Sequence, residues 1–223
     1  MSAALKIALI SAVPAAIPPA QAALQAALPD VVVWNILDDR LLDDADGRGG
    51  LDAALRERMQ RLIAHAVSED ADGVLLTCSL YGPVAQQTQA AVPVMAPDEA
   101  AFVDIATGYA SVLVLASFDN ARDDSVLRLE TALRAAGSGA RVVGRSVPAA
   151  MTATRSGDQE ALVAALAEAC ADRPADVDVV FLAQYSLAPA HDALQEAIGI
   201  PVVSGPVSAA EALRRLGCEQ VAR

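Results

Sequence analysis

The chain has 223 residues, of which 54% are hydrophobic and only 3% aromatic, so its core must be built mainly from Ala, Val, Leu and Ile. This length can bury a sizeable core, in one large domain or two small ones, and disorder is therefore not expected. The formal net charge of −12 argues against a nucleic-acid partner or an anionic membrane, because phosphate groups would be repelled.

Two further features bear on location. The apolar N-terminal segment contains three prolines and a single early cation, which fits a signal peptide poorly, and no apolar run is long enough to span a membrane. The three cysteines, Cys78, Cys170 and Cys218, are an odd number at wide spacing, unlike a disulfide framework or a CxxC metal knuckle. We therefore expect a cytoplasmic protein in a reducing compartment, without a membrane partner.

Apolar runs of strand length alternate with Ala/Leu-rich stretches of helical period along the whole chain, which is typical of a βαβα protein with parallel sheets. The predicted strands are Lys6–Ser11, Val31–Asn35, Gly73–Thr77, Val92–Met95, Ser111–Ser117, Arg141–Gly144, Val177–Ala183 and Ile200–Ser204. The predicted helices are Pro19–Leu28, Leu51–Val67, Pro83–Ala91, Asp123–Ala136, Asp158–Ala171, Pro189–Ile198 and Pro206–Leu216. Proline near several helix starts and glycine after several ends agree with these bounds.

The chain also contains an internal repeat. The segment Asp72–Pro83 aligns with Asp178–Pro189 at an offset of 106 residues (72 to 178). At the same offset, the strand ending in Ser11 lies over the strand ending in Ser117. A Val-Pro-Val segment at 92–94 answers an Ile-Pro-Val segment at 200–202 after a shift of two residues. Three matches in the same order indicate that the two halves arose by duplication.

We therefore predict an α/β fold of two pseudo-symmetric, flavodoxin/Rossmann-like halves with parallel sheets. The first half comprises residues 1–96 plus 206–223, and the second comprises residues 97–205. Ligands of open parallel sheets bind beyond the carboxyl ends of the strands. If the halves face each other across a pseudo-twofold axis, four strand-end residues converge on one active-site cleft. These residues are Ser11, Cys78, Ser117 and Gln184.

The strand-end cysteine in Thr77-Cys78-Ser79, with its counterpart in the second half, resembles the aspartate/glutamate racemase superfamily over essentially the whole chain. That superfamily includes glutamate, aspartate and hydantoin racemases, maleate isomerases and arylmalonate decarboxylases. The resemblance implies two pseudo-symmetric domains with the site between them, a cysteine at a strand end in each, and usually a homodimer. In the racemases one thiolate removes the α-proton and the opposite thiol returns one, without pyridoxal phosphate.

The second half departs from the pattern of this superfamily. Gln184 stands where a two-base racemase has its second cysteine, and a glutamine amide cannot transfer a proton at neutral pH. Cys170, late in a predicted helix, and Cys218, past the last predicted helix, do not fill that place. Arylmalonate decarboxylases act with one cysteine, although theirs lies in the second half. A one-base isomerase, lyase or decarboxylase is therefore an alternative to a racemase.

Cys78 is the predicted catalytic acid and base. Its position at a strand end, before the helix that begins near Pro83, favours the thiolate, because N–H groups at a helix start stabilise an anion. The alternative is an inert buried cysteine. Gln184 and Tyr185 are the other predicted catalytic residues, Gln184 by holding the substrate and Tyr185 by holding it or by delivering a proton.

Small polar residues near the strand ends are predicted to bind the substrate carboxylate and the enediolate-like charge that develops at its α-carbon. They are Ser11, Asn35, Thr77, Ser79, Ser117 and Ser186. For the serines the alternative is a helix cap or a turn, and for Asn35, placed at the end of the second strand, it is a turn residue.

No metal or other cofactor is expected. The acidic stretch of five aspartates from Asp38 to Asp46 lacks the spacing of a calcium loop, so a solvated lid is favoured over a metal site. Two functions remain. One is a cofactor-independent racemase or isomerase acting through Cys78 at the α-carbon of a small carboxylate or amino acid, and the other is a catalytically silent carboxylate-binding paralogue.

Overall fold

The computed structural model describes residues 4–221, with side chains described as far as Leu216. The chain divides into two compact units: a first unit of residues up to Glu99 together with those from Ala209 on, and a second unit of residues Ala100–Ser208. The boundaries fall at 99/100 and 208/209, where 96/97 and 205/206 were expected. No helix within residues 4–221 is long and apolar enough to cross a membrane.

The first unit contains a four-stranded parallel sheet in the order β2-β1-β3-β4. Its strands are β1 (Lys6–Ser11), β2 (Val32–Leu37), β3 (Gly73–Leu76) and β4 (Val94–Met95). Its helices are α1 (Ile17–Ala27), α2 (Leu41–Arg48), α3 (Ala53–Ser68) and α4 (Gly82–Gln87), with short 3-10 helices at Pro14–Ala16 and Ser79–Tyr81.

The second unit repeats this topology, with a parallel sheet in the order β6-β5-β7-β8. Its strands are β5 (Ser111–Ala116), β6 (Arg141–Ser146), β7 (Val179–Leu182) and β8 (Val202–Ser204). Its helices are α5 (Glu99–Gly108), α6 (Asp119–Ala135), α7 (Pro148–Ser156), α8 (Gln159–Ala171) and α9 (His191–Ile198), with a 3-10 helix at Tyr185–Ala190. The last helix, α10 (Gly205–Val221), enters the first unit at Ala209.

Side chains of the central strands alternate between two helical layers, as expected for a parallel sheet covered on both faces. In the second unit, Val112 and Phe181 pack with residues of α5 and α6. Their neighbours Leu113 and Leu182 pack with residues of α7, α8 and α9. The predicted α/β fold with parallel sheets is therefore confirmed.

Equivalent backbone hydrogen bonds in the two units define which residues correspond at the third strand. Tyr81 N–H donates to the carbonyl of Cys78, and Leu187 N–H donates to the carbonyl of Gln184. Val74 N–H donates to the carbonyl of Pro93, and in the same way Val180 N–H donates to the carbonyl of Pro201. Cys78 and Gln184 therefore occupy equivalent positions, at the offset of 106 residues (78 to 184) that the sequence repeat predicts.

The first strands do not follow that offset, so the expected equivalence of Ser11 and Ser117 is wrong by one residue. Thr77 N–H donates to the carbonyl of Ile10, whereas Ala183 N–H donates to that of Leu115. Ser11 consequently corresponds to Ala116, and Ala12 corresponds to Ser117. The physical reason is a difference in chain length between paired strands. Residues paired between β5 and β7 are one residue further apart in sequence than residues paired between β1 and β3.

Different residue types at these equivalent positions give the units different polar contacts at the ends of their strands. In the first unit the Thr77 hydroxyl donates to the Ser11 hydroxyl at 2.9 Å, and both side chains are buried, with exposed fractions of 6% and 0%. The corresponding residues of the second unit are alanines, Ala183 and Ala116. The Ser11–Thr77 pair therefore joins β1 to the end of β3 inside the core of the first unit only.

Three helices lie outside the predicted set, namely α2, α5 and α7. The first of them replaces the lid expected over the acidic stretch. The guanidinium of Arg58, on α3, binds Asp38 at 2.6 Å and Asp44 at 2.7 Å, which ties the start of α2 to the unit.

Cys218 lies within α10 rather than past the last helix, and its side chain is outside the described residues.

We expect Thr77→Val to lower the free energy of unfolding by about 1–3 kcal/mol, because the buried Ser11 hydroxyl then loses its partner. The double variant Thr77→Val/Ser11→Ala removes both polar groups, as in the second unit, and should be more stable than the single variant. Urea unfolding followed by circular dichroism measures both changes.

The matched control for this pair is Thr107→Val on α5, an exposed threonine whose hydroxyl donates to the carbonyl of Val103 at 2.8 Å. Its effect should stay within about 0.5 kcal/mol, as for most surface substitutions. A double variant no more stable than Thr77→Val would contradict the assignment of a buried hydroxyl pair.

Candidate active site at the strand ends

Cys78 lies two residues beyond the end of β3, at the carboxyl edge of the first sheet. Its backbone is extended, with φ −117° and ψ 116°, and it directly precedes the 3-10 helix Ser79–Tyr81. The side chain is half-buried. The thiol is thus held at the edge where parallel sheets bind ligands, by a strand on one side and a helical turn on the other.

Ser79 contacts a buried carboxylate that was not predicted from the sequence. Its hydroxyl donates to Asp98 at 2.6 Å, and only 3% of Asp98 is exposed. Asp98 follows the end of β4, so it also belongs to the carboxyl edge of the first sheet. The strand itself was predicted, but Asp98 lies three residues beyond its end and was therefore not counted among the strand-end residues.

Tyr81 anchors the 3-10 helix that follows Cys78. Its side chain is fully buried, and its hydroxyl donates to the carbonyl of Leu41, at the start of α2, at 2.9 Å. Burial raises the pKa of Tyr81 to about 12. Because this hydroxyl stays protonated at neutral pH and is bonded to a carbonyl, its role is to hold the turn.

Gln184 is the equivalent strand-end residue of the second unit, and Ser117 fixes its side chain. The Oε1 atom accepts from the Ser117 N–H at 2.7 Å and from the Ser117 hydroxyl at 2.6 Å. Both residues were predicted from the sequence to lie in the site, and the structure brings them together. The direct contact was hidden from the sequence, because the repeat aligned Ser117 one residue out of register.

Tyr185 and Ser186 begin the 3-10 helix Tyr185–Ala190 that follows Gln184. Tyr185 is buried, with 5% of its surface exposed, and Ser186 is half-buried. The two residues correspond to Ser79 and Leu80 of the first unit. The pair therefore differs from its counterpart in both size and polarity, and a buried tyrosine replaces the serine next to the strand-end residue.

Asn35 does not stand at a strand end, so this part of the prediction is wrong. The strand β2 continues to Leu37, and Asn35 pairs with Leu9 in the middle of β1. Its exposed amide donates to Gln21, on α1, at 3.3 Å. The error arose because the polar residue interrupted the apolar run that was used to define the strand.

Four of the predicted hydroxyl groups, those of Ser11, Thr77, Ser79 and Ser117, are engaged within their own units. Ser11 accepts from Thr77 in the core, Ser79 donates to Asp98, and Ser117 donates to Gln184. The first N–H groups of a helical turn have no intrahelical partner, so the turns after Cys78 and Gln184 offer backbone donors at the same edge. Among the side chains that the structure describes, no group of three acidic, histidine or cysteine residues is placed to hold a metal ion.

No protein-family model matches the chain, and no curated protein matches it in sequence. Solved structures do match. An aspartate racemase from Picrophilus torridus superimposes with a TM-score of 0.72 at 13% identity, over 93% of this chain and 92% of that chain. An allantoin racemase from Klebsiella pneumoniae gives a TM-score of 0.67 at 17% identity, over 97% of this chain and 89% of that chain.

A third match is the Gly74Cys mutant of arylmalonate decarboxylase, with a TM-score of 0.58 at 21% identity, over 95% of this chain and 93% of that chain. Identities this low bear on the fold and leave the chemistry open. The match nonetheless extends over nearly the whole length of each protein. The chain therefore has the two-half α/β fold of the aspartate, glutamate and allantoin racemases, and the resemblance inferred from the sequence is confirmed at the level of fold.

Proposed function

We propose that this chain is an enzyme that moves a proton at the carbon next to the carboxylate of a small carboxylic acid. Cys78 is the acid and base, and the proposed chemistry uses no cofactor. Racemisation or isomerisation is the proposed reaction class. A homodimer and a cytoplasmic location remain predictions from the sequence.

The observation that carries the proposal is the position of Cys78. It is a half-buried thiol at the carboxyl edge of a parallel sheet, directly before a helical turn that Tyr81 anchors from within the core. Reactive thiols in proteins stand in partly exposed positions of this kind, whereas buried thiols are inert. The fold supports the same reading, since solved structures that share it are named as racemases and as a decarboxylase.

The proposed step is a proton transfer. The Cys78 thiolate forms an S–H bond to the α-hydrogen as the C–H bond breaks, and the electron pair moves into the carboxyl group as an enediolate. Return of the proton from sulfur to carbon reverses the step. Backbone N–H groups of the turn that begins at Ser79 are donors for the developing oxyanion, a contact that strengthens as charge develops.

A single reacting thiol favours exchange on one face of the substrate. Gln184, which is equivalent to Cys78, carries an amide that does not titrate near neutral pH. The other thiol with a described side chain, Cys170, is fully buried, and burial raises its pKa. This asymmetry favours a one-thiol reaction, so a decarboxylase or lyase, in which one face of a planar intermediate is protonated, is the second candidate.

We expect the wild-type protein in D₂O to incorporate deuterium at the α-carbon of at least one acid among aspartate, glutamate and substituted malonates. Exchange through Cys78 alone keeps the configuration of a chiral substrate, because one thiol reaches one face, whereas racemisation also gives the inverted product through a proton delivered to the opposite face. Cys78→Ala should slow incorporation by about 10²–10⁴-fold, which is the usual contribution of a positioned acid or base. Proton NMR measures the rate and chiral chromatography the configuration.

The matched control is Cys170→Ala, which removes a thiol from the core and should leave the exchange rate of the folded protein nearly unchanged. Exchange at the wild-type rate in Cys78→Ala would remove this thiol from the mechanism. Binding of these acids without any exchange in the wild-type protein would favour the catalytically silent paralogue.

We also expect iodoacetamide near neutral pH to modify Cys78 well before Cys170. Cys78 is half-buried at the sheet edge, whereas Cys170 is buried in the core and has a raised pKa. Peptide mass spectrometry after timed labelling reports each cysteine separately, and labelling in urea gives the rates without structure. Similar native rates at the two positions would show that Cys78 is no more available than a core thiol.

A further inference from the structure

We infer that Gln184 is a fixed hydrogen-bond donor that recognises a proton-free oxygen, either a carboxylate or a carbonyl oxygen, at the carboxyl edge of the second sheet. The inference rests on the geometry of the second unit alone and does not depend on Cys78. It therefore adds a binding site to the proposed proton transfer.

The orientation of the Gln184 amide follows from its partner. A backbone N–H can only donate, so the atom 2.7 Å from the Ser117 nitrogen must be the amide oxygen. The Ser117 hydroxyl, at 2.6 Å from the same oxygen, supplies a second donor. With both bonds directed to Oε1, the Nε2 group must point away from Ser117.

The Gln184 amide does not cap the helix that follows it. Gln184 precedes the 3-10 helix Tyr185–Ala190 at the position of an N-cap residue, but its side chain does not cap that helix. Among the residues that the structure describes, Ser117 provides its hydrogen bonds, and these engage only the oxygen. The two Nε2–H groups of this half-buried side chain are thus left as donors at the sheet edge.

The first unit shows why this pair is available for binding. Its corresponding polar contact, Thr77 to Ser11, lies one residue nearer the core on both strands and is closed to solvent. In the second unit alanines fill those core places, and the polar contact moves outward by one residue to Ser117 and Gln184. The first unit thus has a buried contact between two strands, whereas the second has a half-buried contact that leaves the Nε2–H groups of Gln184 as donors.

The chemistry of the donor defines the ligand. With its oxygen occupied, the amide offers N–H groups only, so it matches an acceptor and rejects a donor such as an ammonium group. Because Ser117 fixes the amide before a ligand arrives, little side-chain entropy is lost on binding. A carboxylate and a neutral carbonyl share this acceptor chemistry, and a charged and an uncharged probe distinguish them.

The test uses malonate and dimethyl malonate as probes, with binding to the whole protein measured by isothermal titration calorimetry. We expect at least one probe to bind. Gln184→Glu keeps an oxygen for both Ser117 donors but replaces the donor end with an acceptor, so affinity for the binding probe should fall by about tenfold or more. With dimethyl malonate, charge repulsion cannot explain such a loss.

A matched control lies in the same unit. Gln195, on α9, also accepts a backbone N–H through Oε1, from Val202 at 3.0 Å. Gln195→Glu should leave affinity within about twofold of wild type, since it makes the same chemical change at a structural glutamine. Urea unfolding of both variants confirms that each is folded.

A second readout follows the amide itself. In protein labelled with ¹⁵N-glutamine, the Gln184 side-chain NH₂ signals are assigned by their loss in Gln184→Glu. We expect one of the two proton signals to move on addition of the binding probe, while the Gln195 signals stay in place. The inference is overturned if neither probe binds the wild-type protein, if Gln184→Glu binds as well as wild type, or if the Gln184 signals do not move.

Discussion

The parallel pairing of a first strand with a third strand is the constraint on which each unit depends. It brings β1 beside β3 and β5 beside β7, and it determines which residues leave each sheet together at the carboxyl edge. Because side chains alternate along a strand, a change of one residue in this pairing exchanges an inward group for an outward one. The pairing itself is equivalent in the two units, so their different contacts follow from the residues that occupy the paired positions. The first unit has the buried Ser11–Thr77 pair where the second has two alanines, and the polar contact of the second unit joins Ser117 to Gln184.

Much of this arrangement could be predicted from the sequence. Continuous Val/Ile/Leu runs predicted the alternating strands and helices of an α/β protein, and the match of Asp72–Pro83 with Asp178–Pro189 correctly equated Cys78 with Gln184. The alignment of the β1 sequence with the β5 sequence could not be predicted in the same way, because Ile, Leu and Val are interchangeable in a buried strand. Each strand also has a serine near its end, Ser11 and Ser117, and matching these two serines placed the alignment one residue out.

Other parts were hidden because they depend on contacts distant in sequence. The segment that forms α2 is short and contains three aspartates and a glycine, and its position depends on ion pairs with Arg58 from the next helix. Asp98 lies beyond the strand predicted at Val92–Met95, and its contact with the Ser79 hydroxyl arises only in the folded unit. Asn35 shows the opposite case, where one polar residue inside an edge strand was taken for its end.

The last helix has a consequence for the order in which the chain acquires structure. The second unit is continuous in sequence, whereas the first receives α10 from Ala209 on, and Ala209 and Leu213 are buried within it. During synthesis, all of residues 100–208 therefore leave the ribosome before the first unit has its full set of core side chains. Domains generally fold as units as the chain emerges. The first unit to be synthesised is thus the last whose core can close, and until then the apolar side chains that α10 covers stay exposed.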